Sequence, residues 1–356
     1  MQAAAFRVGL TRDFLREDGT IGWGEIGLGT LDDAKGVEWE FLPEGGQELT
    51  AEQVRPYDAL IVLSPRVAAA TVEGADRLSL VARFGVGYDT VDVESCTRNG
   101  VILTITPDGV RRPVAASILT LLLALGHRLQ IKDRITRSGR WEERLEYMGT
   151  GFTGKTLGSV GLGNIGREMF TLARPLDMRH LAYDPYATSE MAADVGAELV
   201  DLEELLGDSD FVAINCALTP ETHHLLDAGR LALMKRSAFV INTARGQIID
   251  QASLTEALRE GRIAGAALDV FEEEPADPDD PIFSLPNVIA TPHALAWTDE
   301  LALGNGCSAC ESVLDVAAGR VPKNVVNQDV LDNALLREKL SGYGKREGPE
   351  AGWDQV

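Results

Sequence analysis

Residues 156–184 read TLGSVGLGNIGREMFTLARPLDMRHLAYD. The apolar run 157–160 reads as a short buried strand. Gly161, Gly163 and Gly166 follow it as G-x-G-x-x-G, and 165–176 reads as a helix whose last turn is limited by Pro175. Residues 181–183 form a second strand that ends in Asp184. In such a unit the first glycine permits the tight turn, the second lets the backbone approach a pyrophosphate, and the third lets helix and sheet pack closely. The helix N-terminus adds unpaired N–H groups and partial positive charge. Asp184 follows Gly166 by 18 residues, where a carboxylate can accept from an adenosine ribose and would repel a 2′-phosphate. A glycine triplet alone also fits an ordinary turn. With this strand, helix and acid around it, dinucleotide binding is expected, with NAD favoured over NADP.

A chain of 356 residues suggests two domains, and 45% hydrophobic residues is ordinary for packed cores. The net charge of −22 disfavours nucleic acid and anionic membrane as partners. The longest apolar stretch, 114–126, is broken by Ser117 and Thr120 and reads as a buried helix. The opening MQAAAFRVGL has no basic segment followed by a long apolar core, so a cytoplasmic protein is expected. Cys307 and Cys310 form a C-x-x-C in an Ala- and Leu-rich helical pattern without a second such pair. Two small core residues one turn apart is the preferred reading over redox chemistry, and no metal is expected.

Strands are expected at 5–10, 37–41, 57–63, 80–84 and 101–104, and again at 210–215, 238–242, 263–268 and 288–290. Helical segments between them imply parallel, doubly wound α/β sheets, with ligands beyond the carboxyl ends of the strands. That places Arg66 and the 84–88 loop, with the Val86 and Gly87 N–H groups, at a mouth. The segment 11–30 carries five glycines around Trp23 and is either a loop over a substrate or a surface excursion. A helix at 113–128 is expected to cross between domains and one at 301–318 to return. Residues 137–154, with Trp141 and Tyr147, suit an arm for subunit contact.

Arg245, Glu274 and His293 each lie at or just past a strand end on the cofactor side. They suit hydride transfer between a nicotinamide and a 2-hydroxy acid. A neutral imidazole can take the alcohol proton as the hydride leaves, and return it in reduction. Glu274 beside it would favour imidazolium and orient the ring. Arg245 offers a planar fork of donors for the substrate carboxylate, and the Val86–Gly87 amides a nest for its other end. Taken singly, His293 could merely end a strand, Arg245 could bind phosphate, and Glu274 could be one of a solvated acidic run.

From residue 84 to 327 the chain resembles the D-isomer-specific 2-hydroxyacid dehydrogenases. The segments that carry the resemblance are GVGYDTVD (85–92), GKTLGSVGLGNIG (154–166), LTPETHHLL (218–226), INTARGQIID (241–250), GAALDVFEEEP (265–275) and TPHALAW (291–297). The resemblance implies a Rossmann NAD domain inserted into a flavodoxin-like substrate domain, with homodimeric assembly. We set the substrate domain at 1–112 plus 298–335, the NAD domain at 113–297, and a polar tail at 336–356. It implies NAD contacts at Asn164, Ile165, Asp184, Thr243, Arg245 and Asp269, to which Ala244 and His293 on the same strand ends are added. It also implies Arg245 as anchor, Glu274 as partner and His293 as acid/base.

Two departures bear on substrate. Arg111 and Arg112 stand before 113–117 (PVAAS), where family members often carry an acid near Ala116; they either face the cleft or decorate a solvated helix start. After His293, Ala294-Leu295-Ala296-Trp297 replaces the paired glycines of many relatives, so Trp297 is a candidate pocket wall. The preferred activity is reduction of a 2-keto acid. The alternatives are phosphite or formate oxidation on the same scaffold, and an NAD-sensing regulator like the C-terminal-binding corepressors.

Overall fold

The structure is a computed structural model that describes residues 5–43 and 45–344. The chain divides into two compact units: Met1–Val110 with Thr298–Val356, and Arg111–Trp297. The first is built from both ends of the chain, and the second is inserted between them in sequence. The sequence reading puts the crossings at 112/113 and 297/298.

The first unit holds five strands, β1 (Phe6–Leu10), β2 (Val37–Phe41), β3 (Ala59–Val62), β4 (Leu80–Arg83) and β5 (Ile102–Thr104). All pair in parallel, in the order β2-β1-β3-β4-β5, which is the flavodoxin-like order. Every residue of β3 is buried, whereas edge strand β2 alternates half-buried and exposed. Ala59 and Ile61 of β3 join Phe6, Val8 and Leu10 on one face, packed against Ala309, Cys310, Val313 and Val316 of the helix Asp299–Ala317. Leu60 and Val62 face the other way, into a core with Leu42, Val54 and Val81. Cys310 is thus a core residue, as its helical spacing suggests.

The second unit holds β6 (Thr156–Val160), β7 (Arg179–Tyr183), β8 (Ala197–Leu199), β9 (Phe211–Ile214), β10 (Phe239–Asn242), β11 (Gly265–Leu268) and β12 (Val288–Ala290). Its order is β12-β11-β10-β9-β6-β7-β8, all parallel. Strand order reverses between β6 and β9, so a crevice is expected beyond the carboxyl end of β6, where the glycine turn lies. β8 is absent from the sequence reading. It is three residues long, sits at the sheet edge and is half-buried, so it carries little apolar signal.

Three expectations need correction. The helix read as 113–128 runs Pro107–Gly126, with Pro113 inside it. The proline that opens it is Pro107, whose missing N–H costs nothing in a first turn. This helix is long and apolar enough to cross a membrane by length and composition. Its Ala115, Ile118, Leu121, Leu122 and Leu125 are nevertheless buried in the core of the second unit. Residues 336–343, read as tail, belong to the helix Ala334–Tyr343. Tyr343 is buried there, donating to Asp58 Oδ1 (3.0 Å) and packing edge-on against Phe6. The rest of the expected tail, 345–356, lies outside the described residues. Finally, the 11–30 segment is mostly exposed but pinned inward at a few residues: Phe14 and Trp23 meet Phe84 edge-on at 5.0 and 5.4 Å, and Ile26 and Leu28 are buried.

Candidate active site

The turn after β6 has the geometry that its glycines require. Gly161 sits at φ +103°, and an added Cβ would stand 2.7 Å from the backbone of Asn215 at the end of β9. At Gly166 a Cβ would stand 2.5 Å from the Gly161 carbonyl oxygen, so the helix Asn164–Ala173 can approach only without a side chain there. Gly163 is the contrast: nothing lies within 4 Å of its Cβ position. It is also the helix N-cap and offers no side chain to cap the first-turn amides. A phosphate therefore has both room and donors there. Asp184, at the end of β7, accepts from Leu162 N (2.8 Å) and Tyr186 N (2.9 Å), which fixes its carboxylate beside the turn. Asn164 accepts from Arg167 through its side chain at 2.9 Å. These residues fit a dinucleotide.

Arg245, Glu274 and His293 come together at the ends of β10, β11 and β12. Buried Asn242 closes β10: its Oδ1 accepts from Ala244 N at 3.0 Å and its Nδ2 donates to the Arg245 carbonyl at 2.9 Å, turning Thr243, Ala244 and Arg245 out of the sheet. Glu274 follows β11 and accepts from Phe271 N through Oε1 (3.0 Å). Its Oε2 lies 2.7 Å from Nδ1 of His293. Burial alone would raise the Glu274 pKa. The His293 hydrogen bond, the Phe271 N–H and the charges of His293 and Arg245 outweigh it, so the carboxyl lies below its ordinary range. Glu274 is thus an anion at neutral pH, exposed to solvent yet tied to His293 and the Phe271 N–H.

His293 holds a left-handed backbone conformation, φ +53°, which is uncommon for a side-chain-bearing residue. Asp269 explains how the turn is held. It is 4% exposed, and its Oδ1 accepts from Thr291 Oγ1 (2.6 Å), Ala294 N (3.1 Å) and Leu295 N (3.2 Å). The carboxylate therefore clamps both sides of His293. The resemblance implies a cofactor contact for Asp269; the clamp is a role that sequence alone did not suggest.

The remaining sequence candidates are placed as follows. Trp297 is more than half exposed at the end of the second unit. Arg66, Val86 and Gly87 belong to the first unit, on the loops after β3 and β4. There Arg66 is exposed, and its backbone bridges to Glu48. Arg111 and Arg112 sit in the second turn of their helix, not at its start. Both pair with Glu168 of the same unit, Arg112 at 2.9 Å and Arg111 at 3.7 Å, so the two guanidiniums share one carboxylate.

Sequence reasoning missed a second imidazole–carboxylate pair beside the first. His224 Nε2 hydrogen-bonds Glu272 Oε1. Gln247 Nε2 donates to the Glu272 carbonyl at 2.6 Å, and His224 N donates to the Gln247 carbonyl at 2.8 Å. The signal was present as THH in 222–224 and EEE in 272–274, but nothing in either motif indicates the pairing.

Residues 119–294 match the model of the family described as D-isomer specific 2-hydroxyacid dehydrogenase, NAD binding domain. The glyoxylate reductase of Korarchaeum cryptofilum is 37% identical over 312 residues, covering 86% of this chain and 94% of that protein. The D-3-phosphoglycerate dehydrogenase of Archaeoglobus fulgidus is 37% identical over 293 residues, 82% of this chain; the match spans only 55% of that longer protein. Among solved structures, the TT0316 protein of Thermus thermophilus superposes with a TM-score of 0.79 at 33% identity, over 90% of this chain and 100% of that one.

Proposed function

The chain belongs to the D-isomer-specific 2-hydroxyacid dehydrogenases, NAD-dependent oxidoreductases, and from that premise we propose that it reduces a 2-keto acid with His293 as acid/base, Glu274 as its partner and Arg245 as substrate anchor. The observation that carries this reading is the 2.7 Å contact between His293 Nδ1 and Glu274 Oε2. It occupies Nδ1, which leaves Nε2 as the nitrogen that exchanges a proton with the substrate oxygen.

The turn of Gly161, Gly163 and Gly166 would hold the pyrophosphate of NAD, with Asn164 and Ile165 opening the helix behind it. Asp184 would take the adenosine ribose. Thr243, Ala244, Arg245, Asp269 and His293 would line the rest of the cofactor. NAD supplies the ring carbon that gives or receives the hydride. In reduction, imidazolium at His293 donates its Nε2 proton to the oxygen of the former keto group. Glu274 stabilises the ring while it is charged. Arg245 holds the substrate carboxylate through its paired donors. Arg66 and the amides of Val86 and Gly87 are proposed to hold the other end, with Trp297 as a wall.

We also infer a cytoplasmic homodimer. Its four cysteines are all free, as a reducing compartment favours. The segment Trp141–Tyr147 and its flank expose Trp141, Leu145 and Met148 at 59–77%, an apolar set suited to a second copy. Light scattering should give twice the chain mass, and Leu145→Glu should give the monomer.

The test of the activity is NADH oxidation by the purified protein against glyoxylate, hydroxypyruvate, pyruvate, phenylpyruvate and phosphorylated keto acids, at several salt concentrations. Turnover of at least one is expected. No turnover across the panel, with NADH binding demonstrated, would overturn the reading.

A further inference from the structure

Two imidazoles in the second unit occupy left-handed backbone positions, His224 at φ +50° and His293 at φ +53°. Each meets a carboxylate of the same short turn. His293 meets Glu274, and His224 meets Glu272, two residues earlier. Glu273 between them is exposed to solvent.

Glu272 is gripped from several directions. Its carboxylate meets His224, its N–H donates to Gln251 Oε1 (3.2 Å), and its carbonyl accepts from Gln247 Nε2 (2.6 Å). His224 comes from the loop after β9, Gln247 from the turn after β10, and Gln251 opens the helix Gln251–Arg259 that follows; loop and turn are joined by His224 N to the Gln247 carbonyl (2.8 Å) and Leu226 N to the Ile248 carbonyl (3.1 Å). The Phe271 amide that orients Glu274 Oε1 immediately precedes Glu272. The grip on Glu272 thus holds the backbone of the turn that also presents the Phe271 N–H to Glu274, and a shift of that turn would displace Glu274 from His293.

We propose that Glu272 and His224 are positioning residues for the reaction. Together they fix the 271–274 turn so that Glu274 is preset to orient the His293 ring. The pair touches neither substrate nor reacting atoms, and it acts only through Glu274. An oriented base in a preset geometry is worth orders of magnitude in rate, and a supporting shell that slackens forfeits part of it. This inference rests on the assignment of His293 as acid/base.

The test uses the full chain and the best keto acid of the panel. Glu272→Ala and His224→Ala should each lower kcat by about tenfold or more, with keto acid KM and NADH affinity within about twofold of wild type. Glu272→Gln keeps an acceptor for His224 and should recover most of the lost kcat. Glu273→Ala, in the same acidic run, should behave as wild type. Nitrogen-15 histidine spectra give a readout that needs no turnover. The downfield Nδ1–H signal of His293, expected from its carboxylate bond, should weaken in Glu272→Ala and persist in Glu272→Gln. A wild-type kcat and unchanged His293 signal in Glu272→Ala would overturn the proposal. So would a loss of NADH affinity in step with kcat, because that marks general unfolding of the cofactor side. A wild-type protein inert on every keto acid would instead contradict the proposed activity, and the spectra would still decide the role of Glu272.

Discussion

Gly246 lies backbone to backbone against Phe271: a methyl group on its Cα would stand 1.9 Å from the Phe271 carbonyl carbon. This contact sets the turn that carries Arg245 beside the turn that carries Glu274. Gly246→Ala must push the two turns apart. We expect a loss of at least ~2 kcal/mol in stability, as overpacking of a tight contact costs, together with a large fall in kcat. Urea unfolding and steady-state kinetics would measure both. A variant with wild-type stability and turnover would show that the turns slide freely.

Asp184 should set cofactor choice. Its carboxylate is fixed by two backbone N–H groups beside the glycine turn. Asp184→Asn keeps one acceptor oxygen for those two groups, gives up the other, and removes the charge that repels a 2′-phosphate. The ratio of kcat/KM for NADPH to that for NADH should rise by roughly tenfold. An unchanged ratio would remove Asp184 from the ribose site.

His180 should make stability depend on pH. It is 6% exposed on β7, stacks on Phe170 at 4.6 Å between ring centroids, and its Nε2 meets no hydrogen-bond partner among the described residues. Burial pushes its pKa down, against a backbone hydrogen bond at Val195 that pulls the other way. The unfolded chain therefore takes up a proton before the folded chain does. Stability is complete above the ordinary histidine pKa of about 6.5 and falls as pH drops below it. His180→Phe should flatten that part of the stability curve between about pH 7.5 and 5.5. An equally steep curve in the variant would assign the dependence elsewhere.

Tyr343 should anchor the last helix. Its hydroxyl serves buried Asp58 and lies 2.9 Å from Ser79 Oγ, and Arg77 pairs with the same Asp58 at 2.6 Å. Tyr343→Phe keeps the ring against Phe6 and removes only the hydroxyl. A loss of about 1–3 kcal/mol is expected, the cost of an unmade bond to a buried charged group. No loss would mean that water replaces the hydroxyl without penalty.

The residues differ in how legible they were. The glycine turn could be read because Gly161 and Gly166 answer steric demands that no other residue meets, and such demands leave a fixed spacing. The strands could be read because parallel strands buried on both faces are nearly continuous apolar runs, as in β3 and β9. β8 could not, since a half-buried edge strand of three residues lacks that signal. The last helix was misread because its burial depends on two residues, Leu336 and Tyr343, in a polar segment. Arg245, Glu274 and His293 were legible as residue types at strand ends. Their partners were not, because the Asp269 clamp and the Glu272–His224 pair join residues 22 to 48 positions apart. That Arg111 and Arg112 share Glu168 was not legible either, because Glu168 lies more than fifty positions away in sequence.

The most direct test is His293→Ala, assayed both for keto acid reduction and for NADH binding by fluorescence. The variant should lose kcat by at least about a hundredfold, the lower end of what a positioned acid/base contributes, while NADH affinity changes little. Turnover that survives in His293→Ala would contradict the assignment of His293, and with it the role given to Glu274.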